Sequence, residues 1–375
     1  MKLLLNLEVV NSTLTGVGFY SRQIIAGLLE AIDEKDVIFF LGPRQITRTE
    51  ADQILSGVIY SRPTTSFRQS LIAKLRNSWP EILWYVSNFL FWLRSRKFQS
   101  HIYLELNNVA RPFSGKTIVV CYDLSLVHYP EYHPEERRRY FSLFFEKSLR
   151  RAAKVITISR AIQDELAEKY QLKECKIAYP ACPDRPLLDS EENLSLPEEY
   201  ILSLGSLEPR KNLDKLLDAY MSLDCDLRTA FPLVIAGASG WNNQGLEQRI
   251  QDLVNQNEVF HLGYVPDGRM QDLYRNATLL VYLSNYEGFG MPIIEAMDAG
   301  TAVLINQEPA LLEAAGDAAE AVDARSADDI AAKIRHLLES PTRRDQLVDL
   351  GKTNIKRFSW TESVAVILAE LQSLG

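Results

Sequence analysis

The chain has 375 residues, too many for one ordinary core and enough for two domains that could each wall a ligand site. With 46% hydrophobic and 24% charged residues it has the composition of a folded globular protein, which excludes a disordered or fibrous chain. The net charge of −8 argues against a nucleic-acid partner and conceals a division: residues 1–180 carry 25 Lys+Arg against 18 Asp+Glu, and residues 181–375 carry 16 against 31.

The opening MKLLLNLEVVNS breaks its apolar run at Asn6 and Glu8, and reads as a first buried strand rather than a signal peptide. DVIFFLG, HIYLEL, KTIVVCYD and KVITIS read as further strands, with helical stretches such as SRQIIAGLLEAI between them, so a parallel sheet covered on both faces is expected. Gly16 and Gly18 join the first strand to the first helix, with a spacing too short for GxGxxG. Residues 66–99 mix aromatics with Arg and Lys and hold few acids. Their most apolar part, Ile82 to Leu93, is too short to span a bilayer as a helix. Two readings stand for this segment: a core-facing helix pair with basic solvent sides, or contact with a membrane interface. Asp123 follows a strand, and His128 and His133 read as surface histidines. Cys121, Cys175, Cys182 and Cys225 form no CxxC pair and read as small buried hydrophobes, which fits a reducing cytoplasm.

From Pro180 to Pro197 prolines and acids crowd together and no apolar period survives, which marks a domain boundary. The expected division is 1–182, a linker over 183–199, a second domain over 200–358, and a C-terminal helix over 359–375 returning to the first domain. Across the second domain YILSLGS, PLVIAG, VFHLGYV, LLVYLS and TAVLIN alternate with amphipathic stretches. The fold class is therefore α/β, with two doubly wound, Rossmann-like parallel-sheet domains facing a cleft and ligands beyond the carboxyl ends of the strands.

The most informative segment is LLVYLSNYEGFGMPIIEAMDAG, residues 279–300. A strand ends at Ser284, a glycine-bearing loop follows, and Pro292 stands where a helix should begin, with Gly300 as its stop. The backbone amides of Gly288, Phe289, Gly290 and Met291 are then available to phosphate or sugar oxygens, with Glu287 and Glu295 flanking them to accept hydrogen bonds from sugar hydroxyls. In LSLGSLEPRKNLDKLLDAY, residues 202–220, a strand ends at Gly205 and Ser206, and Arg210 and Lys211 precede a helix capped by Asn212. Cations beside a helix N-terminus oppose its dipole unless an anion also sits there, and a diphosphate satisfies that condition.

These segments resemble the E-x7-E signature and the basic loop of family 4 glycosyltransferases, which have the GT-B fold. The resemblance implies retention of anomeric configuration, a nucleotide-sugar donor, a glycan or lipid-linked saccharide acceptor, and no metal or cofactor. It implies that Glu287 lies against the donor sugar, that Glu295 holds the ribose and that Lys211 neutralises the diphosphate, Arg210 being the candidate for a second charge. Many relatives have Arg where this chain has Ser206, and HDLS where it has Tyr122 before Asp123. It further implies that the Gly16/Gly18 loop approaches the donor phosphates and the acceptor, with Asp123 a candidate for binding sugar or acceptor. The overall likeness leans to bacterial surface-polysaccharide mannosyltransferases, and so to GDP-mannose and work at the inner face of the membrane. A sugar-nucleotide epimerase of the same fold, or a silent donor-binding subunit, would carry similar motifs.

Overall fold

The computed structural model describes residues 1–11, 16–58, 80–172, 174–183, 196–240 and 244–375. They form two compact units: Met1–Leu126, His133–Pro180 and Trp360–Gly375 in the first, Val127–Tyr132 and Ala181–Ser359 in the second.

The strands of the first unit are β1 (Leu3–Asn6), β2 (Val37–Leu41), β3 (Arg44–Ile46), β4 (Ile102–Glu105), β5 (Thr117–Cys121), β6 (Lys154–Thr157) and β7 (Lys176–Ile177). They lie in the order β3-β2-β1-β4-β5-β6-β7, all parallel except the β2–β3 hairpin. β1, β4 and β5 are buried at every residue, because helices cover both faces of such a sheet and leave no polar side. β1 is shorter than its apolar run. The Asn6 side chain accepts from the amides of Glu8 (3.2 Å) and Gly42 (3.0 Å) and turns Leu7–Val9 into a 3-10 helix. Gly16 and Gly18 lie within the first turn of the helix Gly16–Ala31, not in a loop before it. That helix continues the chain beyond residues 12–15, which fall outside the described residues.

The C-terminal helix Trp360–Leu374 packs in the first unit. Trp360 sets its ring against Phe19 and Tyr20, Ser363 donates to the Tyr179 carbonyl, and Lys154 pairs with Glu370 at 3.3 Å. Gly27 makes the close approach to this helix, since a Cβ there would lie 2.6 Å from Val364 Cγ2.

The second unit holds β8 (Ile201–Leu204), β9 (Leu233–Ala236), β10 (Val259–Gly263), β11 (Leu279–Tyr282), β12 (Ala302–Asn306) and β13 (Glu320–Val322), in the order β10-β9-β8-β11-β12-β13, all parallel. Its core joins the inner faces of helices Leu213–Met221, through Leu216, Leu217 and Tyr220, and Ala327–Glu339, through Ile330, Ile334 and Leu337. The chain winds outward through β8, β9 and β10, then returns to lay β11 beside β8. The strand order reverses between β8 and β11, and such a switch point is where open α/β sheets place ligands.

Two smaller expectations change. All four cysteines are free thiols, but Cys225 is exposed at the start of a short helix. His133 is buried, while His128 is exposed. Of the segment 66–99, residues 66–79 lie outside the described residues, and the rest holds the helix Pro80–Ser95. Among the described residues no helix is long and apolar enough to cross a membrane.

Candidate active site

At the end of β8 the backbone turns through Gly205 at φ 135°, a conformation that side chains disfavour. The missing side chain also leaves room for Lys211: a Cβ on Gly205 would lie 3.1 Å from Lys211 Cε. Gly237, after β9, is needed for the same reason, since its Cβ would fall 1.9 Å from the Gly205 carbonyl oxygen. Ser206 follows and donates its hydroxyl to Glu208, which is itself buried. Pro209–Lys211 then form a 3-10 turn that presents both cations. Asn212 does not cap the next helix through its side chain. It takes a left-handed φ of 58°, and its amide nitrogen donates instead to the Ala324 carbonyl at 2.9 Å.

The loop after β11 is stitched to this turn. The Asn285 amide donates to the Arg210 carbonyl at 2.9 Å, and Arg210 Nη1 donates to the Tyr286 carbonyl at 2.7 Å. That pairing carries Glu287 onto the cations, with Oε1 2.6 Å from Lys211 Nζ and 2.7 Å from Arg210 Nη1. Tyr282, the last residue of β11, stands between them. It accepts from Lys211 Nζ at 2.7 Å and donates to Glu287 Oε1 at 2.9 Å. Glu208 stands 3.5 Å from Arg210 Nη2, so two cations face two carboxylates.

Electrostatics follow from this packing. Burial alone would raise the Glu287 carboxyl, but Arg210 and then Lys211 outweigh it and hold the group well below the usual carboxylate range. Burial draws the Lys211 ammonium below its ordinary value, with Arg210 adding to the effect and Glu287 opposing it. Burial works against the charge of Arg210 too, and Glu287 more than restores it. Charged pairs of this kind, hydrogen-bonded and little exposed, are preorganised for work on another charge.

Gly290, at φ 109°, precedes the helix Met291–Ala299, in which Pro292 is the second residue, and Gly300 closes it at φ 84°. A Cβ on Gly290 would press on Leu311 Cδ2 at 2.9 Å. Gly288 remains in the loop, while Phe289 turns into the interior against Phe358, with ring centroids 5.1 Å apart. Glu295 sits farther along the helix, buried, where Oε2 accepts from Tyr274 Oη at 2.8 Å. The fold thus brings Arg210, Lys211 and Glu287 into direct contact and ties Glu295 to Tyr274. Tyr282, Glu208 and Tyr274 were not anticipated, because a tyrosine at a strand or helix end reads as one more core aromatic.

Asp123, Gly16 and Gly18 belong to the first unit. Asp123 Oδ1 accepts from the amide and hydroxyl of Ser125, at 2.8 and 2.6 Å, which fixes the turn after β5. The neighbouring Tyr122 is buried, with its hydroxyl 3.1 Å from Ser21 Oγ and donating to the Leu106 carbonyl at 3.2 Å. Its phenol is committed to the interior of the first unit.

Two doubly wound parallel sheets, with a buried cluster of acids and bases at the switch point of the second, define a glycosyltransferase of the GT-B fold. The fold agrees with that of a sucrose-phosphate synthase from Thermosynechococcus elongatus, at a TM-score of 0.70 and 16% identity over 100% of this chain and 98% of that one. HepE from Anabaena, in complex with UDP and glucose, gives 0.68 and 17% over 99% of each chain. The chain belongs to the glycosyl transferases group 1 family, whose model matches residues 184–354. It is 30% identical over 374 residues to the O-antigen chain mannosyltransferase B of Escherichia coli, covering 96% of each. It is 25% identical over 325 residues to the O-antigen chain mannosyltransferase RfbU of Salmonella typhimurium, covering 83% of this chain and 84% of that protein.

Proposed function

We propose that this glycosyltransferase moves a mannosyl residue from GDP-mannose to a hydroxyl of a growing surface polysaccharide, with retention of anomeric configuration. The observation that carries the reading is the Lys211–Glu287–Arg210 cluster at the β8/β11 switch point. In transfer, the bond from the sugar C1 to the diphosphate oxygen breaks and a bond from C1 to the acceptor oxygen forms on the same face. The acceptor proton leaves with the nucleoside diphosphate. Charge gathers on the departing oxygen, and Lys211 and Arg210 neutralise it, assisted by the backbone of Gly205, Ser206 and Gly288 to Met291. Glu287 contacts the donor sugar and holds both cations in place before donor arrives. Glu295 receives the ribose hydroxyls, and Tyr274 orients its carboxylate. The Gly16 and Gly18 turn approaches the donor phosphates and the acceptor, and Asp123 binds the sugar or the acceptor. Support for mannose comes from the names of the O-antigen relatives, and the acceptor class follows from the same names. In this reading the enzyme works in the cytoplasm on a lipid-linked saccharide.

The test is thermal unfolding against GDP-mannose, UDP-hexoses and dTDP-rhamnose. A donor at one hundred times its dissociation constant adds about 2.7 kcal/mol. Stabilisation by a UDP or dTDP sugar alone would remove GDP-mannose from the proposal, and no response to any nucleotide sugar would remove the donor site itself.

A further inference from the structure

The helix Pro80–Ser95 is amphipathic in the wrong sense for water. Its outward residues Ile82, Tyr85, Val86, Phe89 and Leu93 are 47 to 56% exposed and recur at helical spacing, so they form one apolar stripe. The inward side carries Asn88 and Ser95 beside Phe91, which packs on Phe40 and Tyr103. A soluble helix ordinarily hides such a stripe, and an uncovered one marks a contact surface.

The surroundings of the stripe are cationic. At its C-terminal end exposed Arg94, Arg96 and Lys97 join Arg44 around a recess of about 800 Å³ that also takes in Leu93. Along its flank a second recess, of about 580 Å³, is lined by Tyr85, Phe89, Trp92 and Phe144 together with Lys147 and Arg151. Rings with cations at their edge suit the boundary between headgroups and acyl chains, where aromatics sit at headgroup depth. Arg96 already lies over the Trp92 ring, 5.0 Å from its centroid. The acids near this face are engaged: Glu81 by Arg139, Glu146 by Arg150, Glu50 by Arg44 and Glu8 by Arg111, which leaves Arg94, Arg96, Lys97, Lys147 and Arg151 as the cations offered to a ligand. Residues 80–104 hold three Lys+Arg and the single acid Glu81. Self-pairing of two copies through this face would set each cationic rim against its own image, which disfavours a dimer as the occupant.

We propose that the stripe of helix 80–95 inserts into the surface of a bilayer carrying anionic lipids, with the cations of the two recesses on its phosphates. This surface is independent of the donor site, so it stands or falls separately from the proposed reaction.

The test is co-sedimentation of the full chain with vesicles of phosphatidylcholine mixed with phosphatidylglycerol, and of phosphatidylcholine alone. Binding is expected to the anionic vesicles and to weaken with added salt. Phe89→Asp should reduce it by more than about tenfold, and Arg96→Gln and Lys97→Gln by about fivefold each. Leu350→Asp, an exposed apolar residue of the second unit, should leave it unchanged. Because Phe89 is largely exposed, its variant should keep the parental melting temperature, which separates lost docking from lost folding. Failure to bind anionic vesicles, undiminished binding by Phe89→Asp, or a dimer that Phe89→Asp dissolves without any vesicle binding would each overturn the proposal.

Discussion

Lys211 and Glu287 stand 76 positions apart in the chain, yet their charged atoms lie 2.6 Å apart, across ground that Gly205 leaves open. Neither charge is solvated enough to lose its partner cheaply. Removing Glu287 strands two buried cations with only Glu208 to face, whereas removing Lys211 leaves Arg210 still paired with Glu287.

Glu287→Ala should therefore destabilise the protein by about 3–5 kcal/mol, the cost of an uncompensated buried charge, and Lys211→Ala by less. The double variant should lose less than the sum of the two, because the stranded charge disappears with its partner. Denaturant unfolding of the four proteins measures this. In transfer assays Lys211→Ala should lower kcat/KM by the worth of a charged contact, about 1.5–3 kcal/mol. Additive stabilities would show that the two side chains do not interact.

Gly205→Ala forces a side chain into a backbone region costing about 1–3 kcal/mol and pushes on Lys211. Gly237→Ala meets backbone rather than a flexible side chain, so its melting temperature should fall further than that of Gly205→Ala. Transfer activity should fall in the folded Gly205 variant beyond any change in stability. Two variants with parental melting temperatures would refute the packing described.

Glu105 gives a pH prediction of definite sign. Burial raises its carboxyl from 4.5 to about 8, with Glu8 adding to the rise and Tyr103 and Arg111 working against it. A folded-state value above the unfolded one means that stability is complete below about pH 4.5 and declines as pH rises towards 8. Glu105→Gln should remove that decline, so its advantage over the parent grows across this window, by up to about 1.4 kcal/mol per pH unit. Melting curves at pH 5 and pH 8 provide the check. Glu287 has the opposite sign: its stabilisation is present above the usual carboxylate range and is lost as pH falls below it.

The thiols should divide by exposure. Cys225 should react with a maleimide in the native protein, while Cys121, fully buried and with its thiol pushed up by burial, should react only on unfolding. Mass spectrometry after brief labelling distinguishes them, and early modification of Cys121 would contradict its burial.

The main strands were legible because both faces of a parallel sheet are covered, so LLLN, TIVVC and LLVY appear as unbroken apolar runs. β3, β7 and β13 are two or three residues long at sheet edges, where no such run is required. The helix Glu135–Arg151 escaped notice because charges crowd its start and only Phe141, Phe145, Ser148 and Leu149 face inward. At the site, Glu287, Lys211 and Arg210 were legible from their places after strands. Tyr282 was not, since its role depends on the long-range pairing of β11 with β8. Asn212 misled for a local reason: its side chain found a distant carbonyl better placed than the helix amides.

The last helix has a consequence for how the chain can be cut. Trp360–Leu374 supplies the ring, the aliphatic ridge and the hydroxyl that meet Tyr20, Gly27 and Tyr179, so the polypeptide leaves its first unit after Pro180 and re-enters it at Trp360. A gene truncated at that exit encodes a fragment with a bare helix flank, insoluble by expectation, and supplying residues 360–375 as a separate peptide should restore it. During synthesis, the amino-terminal half waits until residues 360–375 have left the ribosome before its own packing is complete.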